Sequence, residues 1–356
     1  MRQKLGSNPL RDPIIKSKTR MNTKIPPSTR LGTQGPQSVS TIGLGAMGMS
    51  GMYGASDEAQ SIATIHAALD AGVNLIDTGD FYGMGHNEAL IGKALKGRRD
   101  HALLSVKFGA LRDPAGGWCG LDGRPGSVKN FLSYTLQRLG TDHIDIYRMA
   151  RLDPTVPIEE TIGAIAEMVK AGYVRYIGLS EVGVETIKRA HAVHPICDLQ
   201  IEYSLVSRRP EAAIFPALKS LGIGITAYGV LSRGLLSGSR PTGPTDIRSY
   251  LPRFVGDNAV KNERLVQVLN QLATEMRVSA SQVAIAWVLA QGRSQGLDMV
   301  ALVGSRTLKQ LDESLGALKL ALNAEELHRI EVALPADAVT GTRYAEFQMG
   351  HLDSEK

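Results

Sequence analysis

The chain has 356 residues, 43% hydrophobic and 21% charged, which excludes whole-chain disorder and allows two ordinary domains or one large barrel. With only two cysteines, Cys119 and Cys197, a disulfide framework is excluded and a reducing cytoplasm is expected. No apolar run reaches the roughly 18 residues of a membrane span, so no membrane association is expected.

The net charge of +5 is unevenly spread: residues 1–30 hold eight basic side chains against Asp12 alone, and the rest of the chain holds 32 bases and 34 acids. The body therefore offers no basic patch for nucleic acid. Residues 1–38 lack periodicity and contain Pro9, Pro13, Pro26 and Pro27; they read as a disordered basic extension, with Met21 as an alternative start. Their acid-poor composition also fits a transit peptide, whereas no apolar h-region marks a secretory signal.

From residue 39, short apolar runs alternate with helical patterns. Strands are predicted over 41–45, 74–77, 103–107, 144–149, 176–180, 199–203, 224–228 and 299–304. Such unalternating runs suit strands buried on both faces. Helices are predicted over 57–70 with Ser56 as cap, then 88–95, 127–139, 158–171, 184–194, 211–221, 261–276, 281–290 and 307–320. Gly72, Gly140, Gly172 and Gly222 follow four of these, where a left-handed cap needs glycine. Eight strands alternating with helices predict a single (β/α)8 barrel over 39–334. A C-terminal tail, 335–356, is expected to cover the substrate pocket, with Tyr344 and Phe347 in its wall. The long Gly- and Pro-rich stretch after the seventh strand falls on the face where barrel chemistry occurs. Gly43, Gly45 and Gly48 match a dinucleotide fingerprint, with Asp70 at the acidic position. The context fails, because a second glycine-rich loop follows instead of a helix.

Asp77, Tyr82 and Lys107 lie at or just beyond predicted strand ends, where barrel residues meet the substrate. An Asp–Lys pair there can hold an ammonium near the tyrosine, lower its pKa and let it serve as a general acid. Spacing alone reads equally as a structural bridge beside an unrelated tyrosine. No metal is expected.

The segment Gly72-Val-Asn-Leu-Ile-Asp77-Thr-Gly-Asp-Phe-Tyr82-Gly resembles the signature of the aldo-keto reductases. Further matches follow in order: Arg138-Leu-Gly-Thr-Asp-His-Ile-Asp-Ile-Tyr147, Val169-Lys-Ala-Gly-Tyr-Val-Arg-Tyr-Ile-Gly-Leu-Ser180, Gln200-Ile-Glu-Tyr-Ser-Leu205, Gly222-Ile-Gly-Ile-Thr-Ala-Tyr228 and Val303-Gly-Ser-Arg306. The resemblance covers about residues 39–330. It implies a barrel that reduces aldehydes, activated ketones or quinones with NADPH, without a Rossmann domain. Tyr82 then resembles the general acid, and Asp77 and Lys107 the pair that tunes it. Ser180 and Gln200 resemble the residues that bind the nicotinamide amide, and Tyr228 the aromatic that stacks on the ring. Gly229, Val230, Leu231 and Ser232 resemble the pyrophosphate loop. Gly304, Ser305 and Arg306 resemble the turn that receives the adenosine phosphate. Gln310 and Ser314 stand where an Arg and an Asn are usual, which leaves Arg306 as the main partner for a 2′-phosphate.

Two departures bear on chemistry. Ala150 stands where the family usually has a catalytic His, and it offers no hydrogen-bond donor; Arg151 and water are possible substitutes. Glu181 follows Ser180 where an Asn is usual. The potassium-channel β-subunit branch also lacks that His, so a cofactor-sensing regulatory protein with weak reductase activity is the alternative. A Schiff-base aldolase through Lys107 is disfavoured by Asp77. The pocket is expected to include Ala150 and Trp118.

Overall fold

The computed structural model describes residues 26–356; residues 1–25 of the expected extension lie outside the described part. The apolar runs form eight strands: β1 (Ile42–Gly45), β2 (Leu75–Gly79), β3 (Leu103–Phe108), β4 (Ile144–Met149), β5 (Val174–Ser180), β6 (Ile196–Glu202), β7 (Gly224–Tyr228) and β8 (Met299–Gly304). All pair in parallel and in chain order, and β8 closes on β1. Every residue of β2, β4 and β6 is buried, as expected of strands covered by helices outside and packed side chains within.

The helices follow the predicted order, with some shifts at their ends. α1 (Glu58–Asp70) is capped by Asp57, whose carboxylate accepts from the amide of Gln60 at 2.6 Å, and not by Ser56. The Ser56 hydroxyl instead donates to the carbonyl of Met49. Asp57 has the right reach to an amide three residues on, the geometry a cap requires. No helix among the described residues is long and apolar enough to cross a membrane.

Three features differ from the sequence expectation. Residues 26–38 do not all belong to a disordered extension. Ser28–Thr29 and Val39–Ser40 pair as a small antiparallel ribbon. Leu31 and Val39 are fully buried against Leu75, Ile146 and Val300. These two apolar side chains have no local periodicity, but they fill one end of the barrel. Second, the segment after β3 carries a hairpin, Ala110–Arg112 with Trp118–Leu121. Third, an extra helix, Ala324–Ala333, precedes the tail and is held by a capping box between Asn323 and Glu326.

Alternation along the strands selects what points inward. Side chains two apart share a face, so Ser105 and Lys107 on β3 go together, as do Arg148 on β4 and Ala150 just beyond it, and Asp198 and Gln200 on β6. These residues form a polar column. Arg148 is wholly buried, donating to Asp198 at 3.0 Å and to the Ser105 hydroxyl at 3.1 Å. Thr226 completes the Asp198 carboxylate at 2.6 Å. A charge this deep persists only when paired and hydrogen-bonded. The column leads to Asp77.

Candidate active site

At the C-terminal mouth of the barrel lies a cavity of about 840 Å³. Asp77 sits at its floor with three donors. Lys107 pairs with Oδ1, while Ser105 and Gln200 donate to Oδ2 at 2.8 and 2.7 Å. Both members of the Asp77–Lys107 pair are buried. Tyr82 follows β2 in a tight 3-10 turn that needs left-handed backbone at Gly83 and Met84. Phe81 packs edge-on against its ring, centroids 4.7 Å apart. Lys107 Nζ stands 5.2 Å from the Tyr82 ring centroid. The three residues expected to act together therefore line one cavity.

Their electrostatics correct one expectation. The net shift of Tyr82 is upward, not toward ionisation. Burial raises Tyr82 well above the usual tyrosine value, and the Asp77 carboxylate adds to the rise. Burial lowers Lys107 from its usual value, with Asp77 opposing. Tyr82 is thus a protonated phenol at neutral pH, which suits an acid rather than a base.

The residues expected around a cofactor are mostly gathered. Gln200, Tyr228, Gly229, Val230, Leu231, Gly304, Ser305, Arg306, Gln310 and Ser314 all line the cavity. Ser232 does not; it is buried and its hydroxyl accepts from Arg253 at 3.1 Å. Ser180 is also buried beneath the surface, and its hydroxyl has no hydrogen-bond partner. Arg306 spans to the β1–α1 loop, donating to the carbonyls of Tyr53 and Ala55 at 3.1 and 3.3 Å. Gln310 accepts from the Arg306 amide at 3.0 Å. Gly45 and Gly304 face each other across β1 and β8, where a Cβ on Gly45 would meet Gly304 Cα at 3.6 Å. Their missing side chains leave that wall open.

Ala150 and Trp118 both line the cavity. Trp118 is carried on the hairpin, with its ring 6.0 Å from His351 of the tail. Phe347 does not contribute: it is 63% exposed, and the tail reaches the cavity through Tyr344, Gln348, His351 and Leu352. A four-residue helix, Glu346–Met349, turns Phe347 outward.

How the tail is fastened was not anticipated. Glu181 is fully buried in left-handed backbone, φ 53°. It accepts two bonds from Arg343 at 2.8 and 2.7 Å, one from Ser354 at 2.6 Å and one from the Tyr228 hydroxyl at 2.8 Å. Tyr344 follows Arg343 and places its hydroxyl 3.0 Å from both Tyr228 and Arg151 Nη2. Its ring is 4.3 Å from the Arg233 guanidinium, a cation–π contact. The Asn-to-Glu departure at 181 was the one available signal, since a buried carboxylate demands a cation.

The chain matches the model of the Aldo/keto reductase family over residues 41–334. It is 39% identical over 320 residues to the probable aldo-keto reductase 1 of Glycine max, covering 88% of this chain and 91% of that one. Among solved structures, a glycerol dehydrogenase from Gluconobacter oxydans superposes with a TM-score of 0.77 at 27% identity, covering 88% of this chain and 98% of that one. An aldo-keto reductase from Bacillus halodurans in its holo form gives 0.73 at 29% identity, covering 89% and 99%.

Proposed function

The chain belongs to the aldo/keto reductase family, and we propose that it reduces carbonyl groups of small molecules with NADPH, Tyr82 giving the proton. The observation that carries this reading is the convergence of Asp77, Lys107 and a protonated Tyr82 on one cavity with Tyr228, Arg306 and the glycine-rich loops.

The residues present fit the cofactor. The unpartnered Ser180 hydroxyl is a buried polar atom in want of a partner, and with Gln200 it suits a carboxamide that both donates and accepts. Tyr228 offers a ring face for the nicotinamide. The turn after β7 holds Gly229, Ser232, Arg233 and Gly234 at positive φ, a backbone of the kind that turns amides toward phosphate. Arg306 is the cation for a 2′-phosphate. When bound, NADPH supplies the hydride. Tyr82 then donates its proton to the substrate oxygen, and the Lys107 ammonium steadies the resulting phenolate. Asp77 keeps that ammonium in place, and Ser105 and Gln200 keep Asp77 in place.

Ala150 sets the substrate range. With no donor from that position, the carbonyl is polarised by fewer groups, and losing one such donor costs about 10²–10³ in rate in other enzymes. Activated aldehydes, 1,2-dicarbonyls and quinones are therefore the better substrates. The same alanine favours a second reading, a cofactor-sensing regulatory protein with residual activity. Steady-state NADPH oxidation over these carbonyls and simple ketones separates the two. Turnover concentrated in the activated classes supports the reductase. Tight NADPH binding without turnover on any class supports the regulatory reading.

A further inference from the structure

The substrate end of the cavity carries positive charge that the protein does not neutralise at short range. Arg151 lines the cavity next to Ala150. Its Nη1 donates to the Ala150 carbonyl at 2.6 Å and its Nη2 to the Tyr344 hydroxyl at 3.0 Å. Both acceptors are neutral, and a guanidinium has five N–H donors. Arg112, on the hairpin, lines the same cavity; it donates to the Gly116 carbonyl at 3.4 Å and lies 5.8 Å from the Phe81 ring centroid. The contrast is with Arg233 and Arg248, which line the cavity too but pair with Glu202 at 3.0 Å and Asp246 at 2.7 Å. Among the described residues, neither Arg151 nor Arg112 has a carboxylate partner within 4.0 Å. Nearby acids make their hydrogen bonds elsewhere, Asp77 to Lys107 and Glu181 to Arg343; Glu181 acts on Arg151 only through its field, without direct contact.

A charged group taken out of water is costly unless a counter-charge meets it. We propose that the substrate supplies that counter-charge, so that the pocket selects carbonyl compounds bearing a carboxylate, which Arg151 binds while Arg112 adds positive potential at the entrance. The guanidinium fork matches a planar carboxylate at two points. Arg151 and Tyr82 line the same cavity, with Ala150 beside Arg151 in the chain, so an anion held by Arg151 shares that cavity with the reacting carbonyl. The identification of the substrate rests on the reductase reading above; the binding of the anion does not. The competing role for Arg151 is a strut that pins Tyr344, and a strut would be indifferent to the charge of the ligand.

The test uses the full chain saturated with NADP+. Calorimetric titration with benzoate and with benzamide compares an anion with its neutral counterpart of the same shape. Benzoate should bind at least about 10-fold more tightly, the usual scale of a charge-assisted contact. Arg151→Met should remove that difference, and Arg151→Lys should restore part of it. Melting curves with NADP+ identify any variant that has not folded, in which case the Lys variant and the wild-type comparison carry the test. Equal affinities in the wild-type protein, or equal losses of both ligands in Arg151→Met, overturn the proposal. In a second arm, ω-oxocarboxylates are compared with their methyl esters. The kcat/KM ratio of acid to ester should be about 10 or more and should collapse toward one in Arg151→Met. Acid and ester reduced alike overturn the substrate class. If no carbonyl at all is reduced, the reductase reading fails, while the benzoate titration still decides the anion site.

Discussion

Arg343 in the C-terminal tail and Glu181 at the end of β5 are joined by two buried hydrogen bonds, 2.8 and 2.7 Å, across 162 residues of chain. This pair fastens the tail over the mouth of the barrel and delivers Tyr344 to Tyr228 and Arg151. Arg343→Met leaves Glu181 buried without its cation, a loss of about 3–5 kcal/mol for comparable pairs. Denaturant unfolding should register that loss, and limited proteolysis should cut the tail first. A variant as stable and as protease-resistant as the wild type would show that the tail is held elsewhere. Burial alone would raise the Glu181 pKa, but Arg343 outweighs it and the net shift is downward. The clamp therefore contributes fully above the ordinary carboxylate range, and its contribution fades only as the pH falls below it.

Asp80 behaves in the opposite sense. One of its carboxylate oxygens is buried without a partner. Burial, reinforced by the charge of Glu88, pushes its pKa up to about 7. Its folded-state pKa thus exceeds the unfolded value, so the folded protein binds the extra proton. Asp80 costs nothing at low pH, and its penalty grows as the pH rises from about 4 to 7. Asp80→Asn should raise the urea midpoint at pH 8 more than at pH 5. A midpoint change equal at both pH values would contradict the assignment.

The eight strands were legible because each is buried on both faces and so reads as an unbroken apolar run; 144–149, 224–228 and 299–304 match the structure to the residue. Asp77 and Lys107 could be placed at the mouth from the predicted strand ends, but that they act with Tyr82 came only from the resemblance, since spacing read equally as a structural bridge beside an unrelated tyrosine. The hairpin of Arg112 and Trp118 was not, since its Gly- and Asp-rich turn hides two very short strands. Leu31 was missed because a single apolar residue that plugs the barrel leaves no period to find. Of the Glu181–Arg343 clamp only the Glu at 181 left a trace, and its partner could not be read because the two meet only after the barrel has closed. The sign of the Tyr82 shift depended on burial, which spacing does not reveal.

Cofactor choice tests the cavity's far end. Arg306 is held by neutral carbonyls of Tyr53 and Ala55, so its charge is available to a phosphate. Such a charge-assisted contact is worth roughly 1.5–3 kcal/mol. Arg306→Ala should weaken NADPH binding about 10–100-fold and barely change NADH, measured by fluorescence titration of each. Equal losses for both cofactors would remove Arg306 from the 2′-phosphate.

The central claim is that the buried Tyr82 phenol gives the proton that completes carbonyl reduction. Tyr82→Phe keeps the ring that packs on Phe81 and removes only the hydroxyl. The direct measurement is single-turnover NADPH oxidation by wild type and Tyr82→Phe, each preloaded with cofactor and mixed with an activated aldehyde. The account predicts a rate lower by at least about 10²-fold in the variant, the usual scale of a general acid, with NADPH affinity retained. A Tyr82→Phe rate within a few-fold of the wild type would contradict it.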